Sequence, residues 1–171
     1  MADLITGAVV LGFHFGTGEL LFTNAGHLPL LWHHAKTGIW DWLEDRTPYA
    51  KDVAGLPLGL ISRTAYAQTA VEFSRGDLLL LYTDGIPESR KESAEELGQE
   101  GLLALVRGLP VDPMEGPVAF SHALVARLER FRGRGPRQDD ETLVLIQRQT
   151  GIGQVGGVET NDGRGSSDRL L

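Results

Sequence analysis

Apolar and polar residues follow a period of two along the first part of the chain and a period of about 3.6 beyond Glu88, which predicts strands first and helices later. Between Thr6 and Asn24, two β-rich runs, Ala8 to Phe15 and Glu19 to Thr23, are joined at Gly16-Thr17-Gly18, the pattern of a hairpin with its turn glycines in place. A third run, Leu28 to His34, passes through Lys36-Thr37-Gly38 into Ile39 to Leu43. There the near-alternation predicts a second hairpin with its tryptophans on a packed face. Gly55-Leu-Pro-Leu-Gly59 is turn-rich, and Pro57 disfavours a central strand. Val71 to Phe73 reads as a short strand, Arg75-Gly76-Asp77 as a turn, and the unbroken apolar run Leu78 to Tyr82 as a strand buried on both faces.

Leu102, Leu105, Val106 and Leu109 then fall at helical spacing, with Glu95, Glu96, Gln99 and Glu100 ahead of them as acidic opening turns. After Pro110 and Pro113, a second helix is predicted from Pro117, with Phe120, Leu124, Leu128 and Phe131 as its apolar stripe. An arginine-rich loop leads to a last strand, Thr142 to Gln147. Residues 151–171 are glycine-rich and polar, with too little apolar surface to offset the entropy of ordering, and are expected to be a disordered tail. The fold class is α+β with antiparallel sheets.

Composition narrows this little. The 171 residues suit one domain or part of one, and a formal charge of −7 gives no sign of a nucleic-acid partner. The chain has no cysteine, which removes disulfides, thiolate metal sites and a cysteine nucleophile and fits a reducing compartment. The N-terminus lacks the basic region of a secretory signal, and the apolar runs are far shorter than the ~20 residues of a membrane span. A soluble cytoplasmic protein with no membrane partner is the expectation.

Two acidic motifs carry the candidate chemistry. In Leu78 to Gly85 an apolar strand ends at Asp84-Gly85, so a carboxylate can be held rigidly at a cleft while glycine permits a close backbone approach. A turn or capping aspartate would look the same. Asp139-Asp140-Glu141 stands immediately before the last strand and offers oxygen ligands of the kind Mg²⁺ and Mn²⁺ prefer. A solvated strand entrance would also look like this. Successive side chains on a strand diverge, so Asp139 and Asp140 are not expected to serve one metal equally.

The motifs gain meaning from their order. Gly18-Glu-Leu-Leu-Phe-Thr-Asn-Ala-Gly-His27-Leu-Pro29, Gly55-Leu-Pro-Leu-Gly59, Gly76 to Gly85 with Glu88, and Asp139-Asp140-Glu-Thr-Leu-Val144 resemble the C-terminal part of the SpoIIE-type phosphatases, a bacterial branch of the PPM (protein phosphatase 2C-like) family. The resemblance spans about Ala8 to Gln147 and marks residues 1–150 as the C-terminal portion of such a domain. It implies part of an αββα sandwich whose two antiparallel sheets meet at a cleft for two Mn²⁺ or Mg²⁺ ions. It also implies Asp84 and Asp139 as metal ligands, Gly85 and Asp140 beside the metal, and no protein nucleophile. Water activated by the metals would hydrolyse phosphoserine or phosphothreonine. The implied partner is a phosphorylated anti-sigma-factor antagonist in partner-switching signalling.

Family members also carry an upstream Gly-Asp motif whose aspartate bridges the metals, and this sequence has no counterpart; Asp3 is the only acid before Glu19. Little or no activity is therefore expected of the chain alone. A catalytically inactive remnant or interaction module is the alternative, and sheets that lack strands would leave edges or apolar faces open to association. His27 is expected to be a hydrogen-bonded turn residue, and His33 and His34 to face opposite ways. Arg127, Arg130, Arg132, Arg134 and Arg137 crowd the approach to Asp139, either as an exposed helix end and loop or as an attractor for phosphate. Haloacid dehalogenase-like chemistry is excluded because Tyr82 stands where its nucleophilic aspartate is required, and an EF-hand is excluded because its regularly spaced acids are absent.

Overall fold

The computed structural model describes residues 6–43, 55–112, 116–135, 139–149 and 159–160. The first hairpin pairs β1 (Ala8–His14) with β2 (Glu19–Ala25), and β5 (Thr69–Glu72) lies on the far side of β2. A second antiparallel sheet has the order β4 (Ile39–Trp42), β3 (Leu31–His34), β6 (Leu78–Tyr82), β7 (Thr142–Gln147), β8 (Glu159–Thr160). Glu159 and Thr160, inside the expected tail, thus pair with Leu143 and Thr142.

The five-stranded sheet is the middle layer. Leu79 turns toward the three-stranded sheet and packs with Leu20, Phe22, Leu30, Leu43 and Phe73. Leu78, Leu80 and Tyr82 turn the other way, onto a core shared with Leu102, Val106, Phe120 and Leu124 of the helices. This is why Leu78 to Tyr82 carries no polar alternation: both of its faces are covered. Trp40 is buried on the helix side, where it stacks on Phe120, and Trp42 lies against the same core.

Helix α1 (Gly98–Arg107) begins later than its acidic residues suggest. Glu95 and Glu96 instead belong to a tight excursion closed by backbone hydrogen bonds from Lys91 N–H to Glu95 O (2.9 Å) and Leu97 N–H to Ser89 O (2.9 Å), in which they pair with Lys91 and Arg90. Helix α2 (Gly116–Arg132) buries Phe120, Leu124 and Leu128 as expected, with Phe131 half-buried. No helix among the described residues is long and apolar enough to cross a membrane.

The antiparallel order brings the start of β1, the end of β2, the start of β3, the end of β6 and the start of β7 to one end of the sandwich. Asn24 to Pro29, Gly55 to Gly59, Asp84-Gly85 and Asp139-Asp140, one part of each sequence block, lie at that end. The Asn24 to His27 turn closes on itself, with the His27 N–H donating to Asn24 Oδ1 (2.9 Å) and Asn24 Nδ2 donating to the His27 carbonyl (3.0 Å). Gly26 has φ +72°, and a Cβ there would stand 2.6 Å from Pro57 Cα, so glycine lets the second block pack onto the first. Leu58 in turn pairs with Thr6, just ahead of β1.

Candidate functional site

Two aspartates flank β6 in contrasting environments. Asp77, at its start, is buried, with Oδ1 accepting from the Ala35 N–H (2.8 Å) and Oδ2 from the Ser74 N–H (2.8 Å) and Trp32 Nε1 (3.2 Å). Its acceptor capacity is spent on holding loops together. Asp84, past the other end, is exposed and accepts one hydrogen bond among the described residues, from the adjoining Gly85 N–H (3.1 Å). Asp139 is also exposed and likewise accepts from the next N–H, that of Asp140 (2.7 Å). Among the described residues neither carboxylate has a cation partner.

Backbone packing brings the two acidic turns together. A Cβ on Gly85 would sit 2.6 Å from the Asp140 carbonyl oxygen and 3.4 Å from the Asp139 carbonyl carbon, so the second turn crosses directly over Gly85. Thr83 extends the β6–β7 ladder by one step: its N–H donates to the Thr142 carbonyl (3.1 Å), and its Oγ1 donates to the Asp140 carbonyl (3.0 Å) and accepts from the Thr142 N–H (2.9 Å). The turn after β6 is closed by Ile86 N–H to Thr83 O (3.1 Å) and Glu88 N–H to Asp84 O (3.0 Å). Two solvent-facing carboxylates on crossing turns match the oxygen donors a hard divalent ion takes. The described residues contain no group of three His, Asp or Glu that could hold a metal.

The third acid of the second motif behaves differently. Glu141 turns inward and forms an ion pair with Arg132, the last residue of α2, which is buried. Ser89 Oγ accepts from Arg132 Nη2 (3.2 Å) and lies within hydrogen-bond reach of the Gly85 carbonyl (3.1 Å) and Glu141 Oε1 (3.3 Å). Arg132 is therefore neither part of an exposed helix end nor available to draw in phosphate. Arg127 donates to the Gly108 carbonyl (3.0 Å), and Arg137 lies outside the described residues. Sequence reading missed Thr83 and Ser89 as parts of this site, and it placed Glu141 among the acids of the second motif and Arg132 among five arginines near Asp139 without pairing the two. The one available signal was that Glu141 follows two acids with no cation beside it in the chain.

The histidines stand apart from this chemistry. His27 Nδ1 donates to the Leu28 carbonyl (2.8 Å), as a turn histidine would. His33 is buried against Trp40, whereas His34 lies against Trp32 on the opposite face.

This two-sheet arrangement has the fold of solved PP2C-type phosphatase domains. The model of the family Stage II sporulation protein E (SpoIIE) matches residues 2–149, and the chain belongs to that family. It is 25% identical over 131 residues to phosphoserine phosphatase RsbU of Bacillus subtilis, an alignment covering 77% of this chain and 35% of that protein. Its fold matches the SiaA-PP2C domain of Pseudomonas aeruginosa at a TM-score of 0.64 and 21% identity, covering 84% of this chain and 51% of that one. The Mn-presoaked phosphatase domain of SpoIIE from Bacillus subtilis matches at a TM-score of 0.60 and 19% identity, over 86% and 58% of the two chains. The chain thus spans about a third of the curated relative and about half of these solved domains.

Proposed function

We propose that this chain supplies the Asp84 and Asp139 portion of the metal centre of a PPM-type protein serine/threonine phosphatase acting in bacterial partner-switching signalling. The observation that carries this reading is the crossing of the Asp139-Asp140 backbone over Gly85, which sets two exposed carboxylates on adjoining turns. The names of relatives support it: one is a phosphoserine phosphatase, another is a Mn-presoaked phosphatase domain, and a structure from Mycobacterium tuberculosis holds RsbU and RsbW domains together.

Asp84 and Asp139 would hold Mn²⁺ or Mg²⁺. Such an ion, when bound, neutralises phosphate charge and lowers the pKa of water. The residues of this chain do the positioning: Thr83 fixes the two turns to each other, and the Gly85 backbone keeps them in contact. The natural substrate on this reading is a phosphorylated anti-sigma-factor antagonist.

Two carboxylates without a bridging third bind a metal pair weakly, so the 171-residue chain alone is expected to hydrolyse an aryl phosphate no faster than its D84N variant. The direct test joins residues 6–149 to the Gly-Asp-bearing front segment of an active family member. Mn²⁺-dependent release of phosphate from a phosphoserine protein is expected, with a loss of at least ~100-fold in D84N or D139N. A folded hybrid in which D84N is as active as its parent would overturn the reading. The alternative, an interaction module without catalysis, draws support from the outer face of the three-stranded sheet, which no described element covers and where Val10 is 67% exposed.

A further inference from the structure

Behind the two acidic turns lies a buried polar cluster that the proposed chemistry does not use. Arg132 and Glu141 close the loop that contains Asp139, and Ser89 links them to the turn that begins at Asp84. Three chain segments meet there: the C-terminus of α2, the entrance to β7, and the turn after β6. The cluster reaches the site from two sides: Glu141 directly follows Asp140 in the chain, and Ser89 Oγ lies 3.1 Å from the carbonyl of Gly85, the residue on which the Asp139-Asp140 backbone rests.

We propose that Arg132, Glu141 and Ser89 form a positioning clasp that sets the spacing of the Asp84 and Asp139 turns and so tunes their affinity for a divalent cation. The proposal rests on the metal reading above. Its physical basis is directional. Arginine presents rigidly oriented N–H donors, and a carboxylate and a hydroxyl held on that guanidinium cannot drift independently. A buried charge must keep its partner, so the cluster resists the separation that would part the turns. An apolar filling of similar volume would preserve packing and lose the orientation. Residues that orient ligands from behind change metal affinity without touching the ion.

The test uses the full chain, with Mn²⁺ alone as the probe. Four variants are compared: S89A, R132M/E141M, the site variant D84N/D139N, and F120L as a remote core variant that lowers stability by a different route. Binding is read from the electron paramagnetic resonance signal of free Mn²⁺, and turn mobility from amide hydrogen exchange. R132M/E141M replaces the ion pair with apolar groups and is expected to stay folded. Its Mn²⁺ affinity should fall by about 10- to 100-fold. Exchange at Gly85 to Ser89 and at Asp140 to Thr142 should quicken by at least ~10-fold while β3 and the core of β6 keep their protection.

S89A should show a smaller change in the same direction, and F120L should lose stability without moving either readout. Unchanged turn exchange in folded R132M/E141M and S89A would overturn the clasp. So would a loss of Mn²⁺ affinity in F120L equal to that in R132M/E141M. If D84N/D139N bound Mn²⁺ as wild type does, the metal reading would fall, and the exchange readout would still decide whether the clasp holds the turns.

Discussion

Gly85 and His33 show how single residues express the surrounding fold. Placing a methyl group on Gly85 forces it against the Asp140 carbonyl, a backbone atom that cannot swing aside. Gly85→Ala should therefore cost about 1–3 kcal/mol and spread the two turns, which chemical denaturation and Mn²⁺ binding would register together. Burial pushes the His33 imidazole below its ordinary value of 6.5, and nearby Asp77 opposes this without reversing it. The folded state then favours neutral His33, and the unfolded chain takes up the proton first as the pH falls. The stability tied to His33 is full above 6.5 and is lost as the pH drops toward the lowered folded value, at up to ~1.4 kcal/mol per pH unit. His33→Leu should flatten that part of the acid dependence in denaturant titrations between pH 5 and 7.5. Tyr82 supplies a separate check. Its buried hydroxyl has no partner among the described residues, and burial raises its pKa well above the ordinary tyrosine range. Tyr82→Phe should leave stability unchanged or raise it by about 1 kcal/mol.

The strands and helices were mostly legible because each has a clear period. Leu78 to Tyr82 could be read as doubly buried, and the stripe of α2 could be read from Phe120, Leu124 and Leu128, because layer packing repeats the chain's own spacing. The start of α1 was not legible: Glu95 and Glu96 suit a helix's first turn, yet Lys91 and Arg90 lie close enough to take them into ion pairs. In the site, Asp84 and Asp139 were visible as motifs, whereas the clasp joins residues up to 52 positions apart and has no local signature. Arg132 illustrates the difficulty, since four further arginines around it had the same appearance in sequence. Leu124 is fully buried between α2 and the sheet, so Leu124→Ala should cost about 2–5 kcal/mol by thermal or denaturant unfolding and loosen α2 from the sheet.

At the scale of the whole molecule, the described residues cover the five-stranded sheet on both faces and the three-stranded sheet on one. Val9, Leu11 and Phe13 turn inward on β1, which leaves Val10 and Gly12 outward beside Leu21 and Thr23 of β2. Such a face favours association, so sedimentation velocity should show mass rising with concentration, less so in Val10→Lys. A cooperative, highly stable monomer at all concentrations would contradict this. The functional claim rests on the opposite feature, the meeting of two turns at one end of the sandwich. Titrating Mn²⁺ into the full chain and into D84N and D139N separately, with free Mn²⁺ read by electron paramagnetic resonance, tests it directly. On the proposed reading, in which both carboxylates serve one ion, saturable binding that either substitution weakens by at least ~10-fold is the expected result. Equal binding by wild type and both variants would contradict the assignment of Asp84 and Asp139 as a shared metal site.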